Sequence, residues 1–230
     1  MLYALMRRTA HAALRVGFHF RAIGLENVPP EGPAVLAANH TSFFDPPAVG
    51  APLRRELHFL AKVELFRVPG LGGFLRRLNA HPVDRSGSDA AALRLALRLL
   101  TEGQALVLFP EGTRGHGDAL RPAQAGTGML VALSGAPVVP VYVQGTRQAL
   151  PRGAVVPRAS RITVTYGAPL HFRRERGRAR YQAISDAIMA AIGRIKAGGG
   201  RVQGVPASAA TELNDSASAT RGQLAAGQIQ

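Results

Sequence analysis

Residues 33–45 read PAVLAANHTSFFD, and residues 105–114 read ALVLFPEGTR. Each opens as a short, almost wholly apolar run, the composition of a strand covered on both faces, and each closes in polar side chains. Working outward, apolar runs at 57–61, 105–109, 138–143 and 162–166 alternate with helical patterns at 71–78, 89–100, 126–134 and 178–196. This alternation predicts an α/β fold: a single domain with a mostly parallel or mixed central sheet flanked by helices. Open sheets of that class collect ligands beyond the carboxyl ends of their strands, where His40 falls.

His40 and Asp45 are the first candidate pair. A neutral imidazole takes up a proton near physiological pH, and a carboxylate on its other nitrogen fixes the tautomer and stabilises the imidazolium that forms. The pair is suited to making an alcohol nucleophilic. Five positions separate the two residues, more than one helical turn, so a strand-to-helix loop has to bring them together. Pro46 and Pro47 suit such a place, because proline is tolerated in the first turn of a helix. The simpler reading is a satisfied loop histidine beside a helix-capping aspartate. In the second stretch Arg114 offers a planar fork of donors for a phosphate, Thr113 a hydroxyl, and Gly112 open access to backbone N–H groups. Glu111 would repel a phosphate and fits better as a partner for an arginine or for a ligand hydroxyl. The simpler reading here is an exposed loop salt bridge of little energetic weight.

An Asn-His pair with Asp45 five residues on, followed downstream by Phe-Pro-Glu-Gly-Thr-Arg, resembles the glycerolipid acyltransferase family of the 1-acyl-sn-glycerol-3-phosphate acyltransferase type. Two further blocks carry the resemblance: NAHPVDR at 79–85, matching at Val83, Asp84 and Arg85, and APVVPVYV at 136–143, matching at Pro140. Asn79 stands where glycine is common, His81 where an apolar residue is usual, and Gln124 where a basic residue is often found. The resemblance implies His40 as general base, Asp45 as its orienter, and Arg85, Glu111, Gly112, Thr113 and Arg114 as the set that binds the acceptor. The implied reaction moves a fatty acyl group from acyl-CoA or acyl carrier protein to the free hydroxyl of a lysophosphatidate. Another lysophospholipid or a lipid amine as acceptor, and a basic membrane-binding module without turnover, are the competing readings. No metal or cofactor is expected: the seven histidines are scattered without ligand spacing and cysteine is absent, which also removes a thiol nucleophile and leaves Ser42 as the hydroxyl for any acyl-enzyme.

The chain has 230 residues and a formal net charge of +14, with Lys62 and Lys196 as its only lysines. Such a balance favours an anionic partner. Nucleic acid is disfavoured, because there is no tryptophan and only 6% aromatic residues from which to build a stacking platform. Residues 1–24 are expected to form an amphipathic membrane-associating helix: Leu2, Leu5, Met6, Ala10, Leu14 and Phe18 make an apolar stripe, while Arg7, Arg8, His11 and Arg15 forbid a span. Its alternative is a helix packed on its own domain. A second basic run, Arg173, Arg174, Arg176, Arg178 and Arg180, adds either attraction to anionic headgroups or a solvated helix start. Residues 25–196 are assigned to the acyltransferase domain, and residues 197–230, rich in small and polar side chains, to a disordered tail. The expected location is the cytoplasmic face of the cell membrane, as a peripheral protein.

Overall fold

In the computed structural model the described residues are 2–84, 89–115, 117 and 119–199, with the Asp89 side chain excepted. The expected disordered tail therefore lies almost wholly outside them, as does Arg85.

Seven strands form one sheet: β1 (Arg21–Ile23), β2 (Ala34–Ala38), β3 (Leu57–Lys62), β4 (Ala80–Val83), β5 (Ala105–Leu108), β6 (Val138–Gln144) and β7 (Thr163–Tyr166). Their order across the sheet is β1-β7-β6-β2-β5-β3-β4. All neighbours run parallel except β6 and β7, so the mixed, mostly parallel sheet anticipated from the sequence is present. The helices are α1 (Leu2–Phe18), α2 (Asp45–Gly50), α3 (Leu71–Arg77), α4 (Asp89–Thr101), α5 (Ala125–Ser134), α6 (Thr146–Ala149) and α7 (Arg178–Ala197).

The central strand explains the two-layered core. Every residue of β2 is buried, and because successive side chains point to opposite faces of a strand, the run divides between two clusters. Ala34, Leu36 and Ala38 meet Leu14 of α1 and Ala48 and Val49 of α2 on one face. Val35 and Ala37 meet Leu99 of α4, Val131 of α5 and Ile188 of α7 on the other. A strand clothed on both sides reads as a continuous apolar run, which is why its sequence shows no alternation.

The stripe on α1 turns partly inward. Leu14 is buried, Ala10 and Phe18 pack against the same core, and the Tyr3 hydroxyl accepts the Leu57 N–H at 3.0 Å. Leu2, Leu5 and Val16 stay bare. Part of the basic run at 173–180 is likewise engaged: Arg174 donates to the Ser134 carbonyl at 2.6 Å, at the carboxyl end of α5 where a cation is favoured, and Arg180 lies 3.5 Å from Glu175.

Candidate active site

Three neighbouring parallel strands, β6, β2 and β5, end side by side, and the loops leaving their carboxyl ends build one site. The loop after β2 brings His40, and the chain then turns into α2, whose first residues are Asp45, Pro46 and Pro47. Tyr166 fastens this helix: its hydroxyl, fully buried at the end of β7, donates to the Val49 carbonyl at 2.7 Å, and burial pushes its ionisation far above the usual range. Asp45 is completely buried and does not cap its own helix. Its Oδ2 accepts from the N–H groups of Thr41 at 2.6 Å and Ser42 at 2.8 Å and lies 2.7 Å from His40 Nδ1, while Oδ1 accepts the Thr146 hydroxyl at 2.5 Å. A carboxylate can only accept, so His40 carries its hydrogen on Nδ1 and leaves Nε2 as the basic atom. The His40 side chain is 16% exposed and Asp45 not at all, so solvent and ligands can reach the imidazole but not its carboxylate partner.

The loop after β5 grips the same histidine. The buried Glu111 carboxylate accepts the backbone N–H of His40 at 3.0 Å and that of Arg121 at 3.3 Å, and the Gly115 N–H returns to the His40 carbonyl at 2.8 Å. The Phe109 ring stacks on the imidazole at 4.0 Å between centroids, and the Arg114 guanidinium lies over Phe43 at 3.8 Å. Burial raises the Glu111 pKa, an effect that the two N–H contacts oppose. Glu111 thus faces main chain, holding the two loops together. Gly112 takes a positive φ of 70°, and a Cβ there would fall 2.4 Å from the Gln124 side chain, so this turn demands glycine. Thr113 is exposed beside it.

Of the residues singled out from the sequence, His40, Asp45, Glu111, Gly112, Thr113 and Arg114 come together on these two adjoining loops. Arg85 lies outside the described residues. Ser42, the one hydroxyl considered for an acyl-enzyme, is buried; it donates to the Leu150 carbonyl at 2.9 Å and accepts the Phe44 N–H, so it points away from a nucleophile's role. Three contributors carry roles that the sequence did not assign. Thr146, immediately after β6, completes the hydrogen bonding of Asp45. Phe109 packs on the imidazole. Asn39, already part of the first motif, uses its side-chain amide as an extra rung to β6: Oδ1 accepts the Val143 N–H at 2.7 Å and Nδ2 donates to the Val143 carbonyl at 2.9 Å. The signal available for Thr146 was its place just past a strand end, after Gly145, in the row of loops where such sheets hold their ligands.

A buried carboxylate orienting an imidazole that is partly open to solvent, bracketed by a loop carrying an arginine and a hydroxyl, is equipped to deprotonate an alcohol beside an anion. Family comparison gives that chemistry its class: the acyltransferase family profile matches residues 19–144, and the chain belongs to this family. Among its relatives is the 1-acyl-sn-glycerol-3-phosphate acyltransferase of Bacillus subtilis (strain 168), 31% identical over 147 residues that make up 64% of this chain and 71% of that protein. The chloroplastic 1-acyl-sn-glycerol-3-phosphate acyltransferase BAT2 of Brassica napus is 32% identical over 134 residues, 57% of this chain but only 39% of the longer plant protein. The same fold occurs in the crystal structure of the 1-acyl-sn-glycerophosphate (LPA) acyltransferase PlsC from Thermotoga maritima, with a TM-score of 0.71 at 22% identity over 87% of this chain and 81% of that one.

Proposed function

We propose that this protein transfers a fatty acyl group from an acyl thioester, acyl-CoA or acyl carrier protein, to the free hydroxyl of 1-acyl-glycerol-3-phosphate, giving phosphatidic acid. The observation that carries the reading is the 2.7 Å contact between His40 Nδ1 and the buried Asp45 carboxylate, held against the loop of Glu111 to Arg114. His40 Nε2 takes the hydroxyl proton as the oxygen attacks the thioester carbonyl. The new C–O bond forms, the C–S bond breaks, and the thiolate leaves with the proton returned from the imidazolium; a thiol needs little acid help to depart. Arg114, Thr113 and Arg85 are assigned to the acceptor's phosphate by their motifs, and the Arg114 guanidinium lies over Phe43. Glu111 and Gly112 act by shaping the loop.

The enzyme works as a peripheral protein at a lipid surface. No helix among the described residues is long and apolar enough to cross a membrane. A lipid acceptor keeps about 0.8 kcal/mol per methylene by remaining in the bilayer, which favours bringing the site to the surface over extracting the substrate. Bare Leu2, Leu5 and Val16 on α1 supply an apolar edge for that contact.

The test is transfer of a labelled acyl group from acyl-CoA to a panel of lysolipids. Lysophosphatidate is expected to be the preferred acceptor, and His40→Ala to lower turnover by about 10²- to 10⁴-fold with unchanged circular dichroism. Transfer only to a different acceptor would displace the substrate assignment, and near-normal turnover in the alanine variant would remove the mechanism.

A further inference from the structure

Two consecutive valines have no part in the core or in the site. Val155 is 91% exposed and Val156 75%, both barer than Leu2 and Leu5 of α1. They stand on the loop at 150–162 that joins α6 to β7. β6 carries the chain to the edge of the sheet where β2 and β5 also end, and β7 starts back antiparallel from that edge, with Thr163 opposite Gln144. The loop therefore shares an edge with the loops that carry His40 and Glu111.

Its base is firmly held. The Leu150 carbonyl accepts the hydroxyl of Ser42, from the loop of His40 itself, at 2.9 Å. The Arg158 N–H donates to the Ala149 carbonyl at 2.7 Å, the Ser160 hydroxyl to the Gly145 carbonyl at 3.2 Å, and the Ile162 N–H to the Phe18 carbonyl at 3.0 Å. This last bond ties the returning leg to the end of α1. Gly145, at φ 89°, lets that leg press in, since a Cβ there would collide with the Arg161 carbonyl. The tip, by contrast, reads Gly153-Ala154-Val155-Val156-Pro157, without one polar side chain. Folding gains nothing from holding two valines in water, so the tip is shaped for something other than stability.

Charge indicates the partner. Residues 119–174 contain seven arginines and no aspartate or glutamate, and Arg152, Arg158 and Arg161 are exposed on either side of the tip. An apolar peak with guanidiniums at its foot suits shallow insertion: the valines reach the acyl boundary while the arginines stay level with anionic headgroups. A protein partner would have to supply a complete pocket for a side chain that is 91% bare, whereas a fluid acyl layer closes around a convex tip without one. We infer that the loop at 150–162 is a second membrane-insertion element, dipping Val155 and Val156 into an anionic lipid surface at the edge of the sheet that carries the site. The inference rests on the peripheral reading given above and adds an orientation to it. A single helix lying on a bilayer is free to roll about its axis, and a second anchor bonded to its end removes that freedom. Pro151, Arg152 and Arg158 of the loop also border a cleft of about 420 Å³ together with Thr41 and Gly115, the latter bonded through its N–H to the His40 carbonyl. Docking of the tip thus holds the loops around His40 at the level of the headgroups.

The chain has no tryptophan, so Val156→Trp in the full chain provides a single emitter at the tip. Its emission should shift to the blue with vesicles of mixed phosphatidylglycerol and phosphatidylcholine, and lipids brominated along the acyl chain should quench it. Val155→Asp with Val156→Asp should lower partitioning onto the same vesicles about tenfold with an unchanged thermal midpoint, because both positions are exposed. Turnover of a short-chain lysophosphatidate dispersed below its micellar concentration should stay as in the parent. If the parent sediments with vesicles while the tryptophan neither shifts nor is quenched and the aspartates change nothing, the loop is no anchor, though the peripheral reading stands. A parent that ignores vesicles altogether removes both. Two further results would overturn the inference: a change of oligomeric state in the aspartate variant with vesicle binding intact, which would make the tip a contact between copies, or a KM raised only for a donor borne on acyl carrier protein, which would make it a protein-docking site.

Discussion

Thr146→Val removes the one contact to Asp45 that comes from outside its own loop, along with the weaker 3.3 Å contact between the Thr146 and Thr41 hydroxyls. Valine keeps the shape of a side chain with no exposed surface, so no cavity forms, but it leaves Oδ1 of a completely buried carboxylate without the donor that sits 2.5 Å away. Hydrogen bonds to charged groups contribute roughly 1.5–3 kcal/mol, and a buried acceptor deprived of its partner keeps its full desolvation cost. Stability should therefore fall by about 2 kcal/mol, read as a lower urea midpoint at unchanged slope. Asp45 then gains freedom to rotate, and the imidazole it orients loses its fixed tautomer and position. A loss of even 1.4 kcal/mol in transition-state stabilisation lowers kcat by about tenfold, with KM for either substrate little altered because no substrate contact has been removed. Thr146→Ser keeps the hydroxyl and should recover most of both losses. Steady-state kinetics on the three proteins, alongside urea unfolding, form the assay. If the valine variant matched the parent in kcat and in midpoint, the view of α6 as the outer brace of the dyad would be refuted.

Replacing Leu2, Leu5 and Val16 together by aspartate should reduce sedimentation with anionic vesicles while leaving the thermal midpoint nearly unchanged, because these side chains face away from the core; undiminished sedimentation would place the lipid contact elsewhere. Deleting α1 outright is a poorer experiment, since it also uncovers the surface around Leu14. The stacked pair His58 and His81, with ring nitrogens 2.9 Å apart, should make folding sensitive to acid. Burial is the first cause lowering both pKa values below the ordinary 6.5, so just below that value the unfolded chain binds more protons than the folded one. Stability from this pair is full above about pH 6.5 and drains away as pH falls further. His81→Val should flatten the change in urea midpoint between about pH 5 and pH 7.5, and an unchanged profile would show that other groups govern it.

The strands at 105–109 and 138–143 were legible because strands flanking the centre of the sheet are coated on both sides and so appear as unbroken apolar runs, whereas 57–61, next to the edge and mostly half-buried, is a run that His58 interrupts. The helix at 89–100 announced itself by the opposite property, a one-sided stripe, while that at 126–134 is apolar almost all round. β1 was not legible: three residues with only Ala22 packed inward carry no period to detect. The apolar stripe of α1 was read correctly as a stripe, yet no local pattern could say that Ala10, Leu14 and Phe18 would dock on the protein's own core. At the site, His40, Asp45 and the Glu111–Arg114 loop were visible because each lies within a few residues of a strand end and its motif. Thr146 reaches Asp45 across 101 positions of chain, and such a contact depends on β6 lying beside β2, a strand order that sequence adjacency does not reveal.

Asn39 ends the ladder between β2 and β6 with a side chain, where a further backbone residue would ordinarily stand. The amide carries an acceptor and a donor at the spacing of a peptide group, so the seam stays closed for one more step while the main chain is released to climb out of the sheet toward His40. Aspartate in its place would set a negative oxygen against the Val143 carbonyl and unpick the seam directly beneath the imidazole, whereas leucine would fill the volume and leave both Val143 groups thirsty. Tolerance at this position should consequently be narrow, and the histidine's height above the sheet is set by an amide that is itself buried.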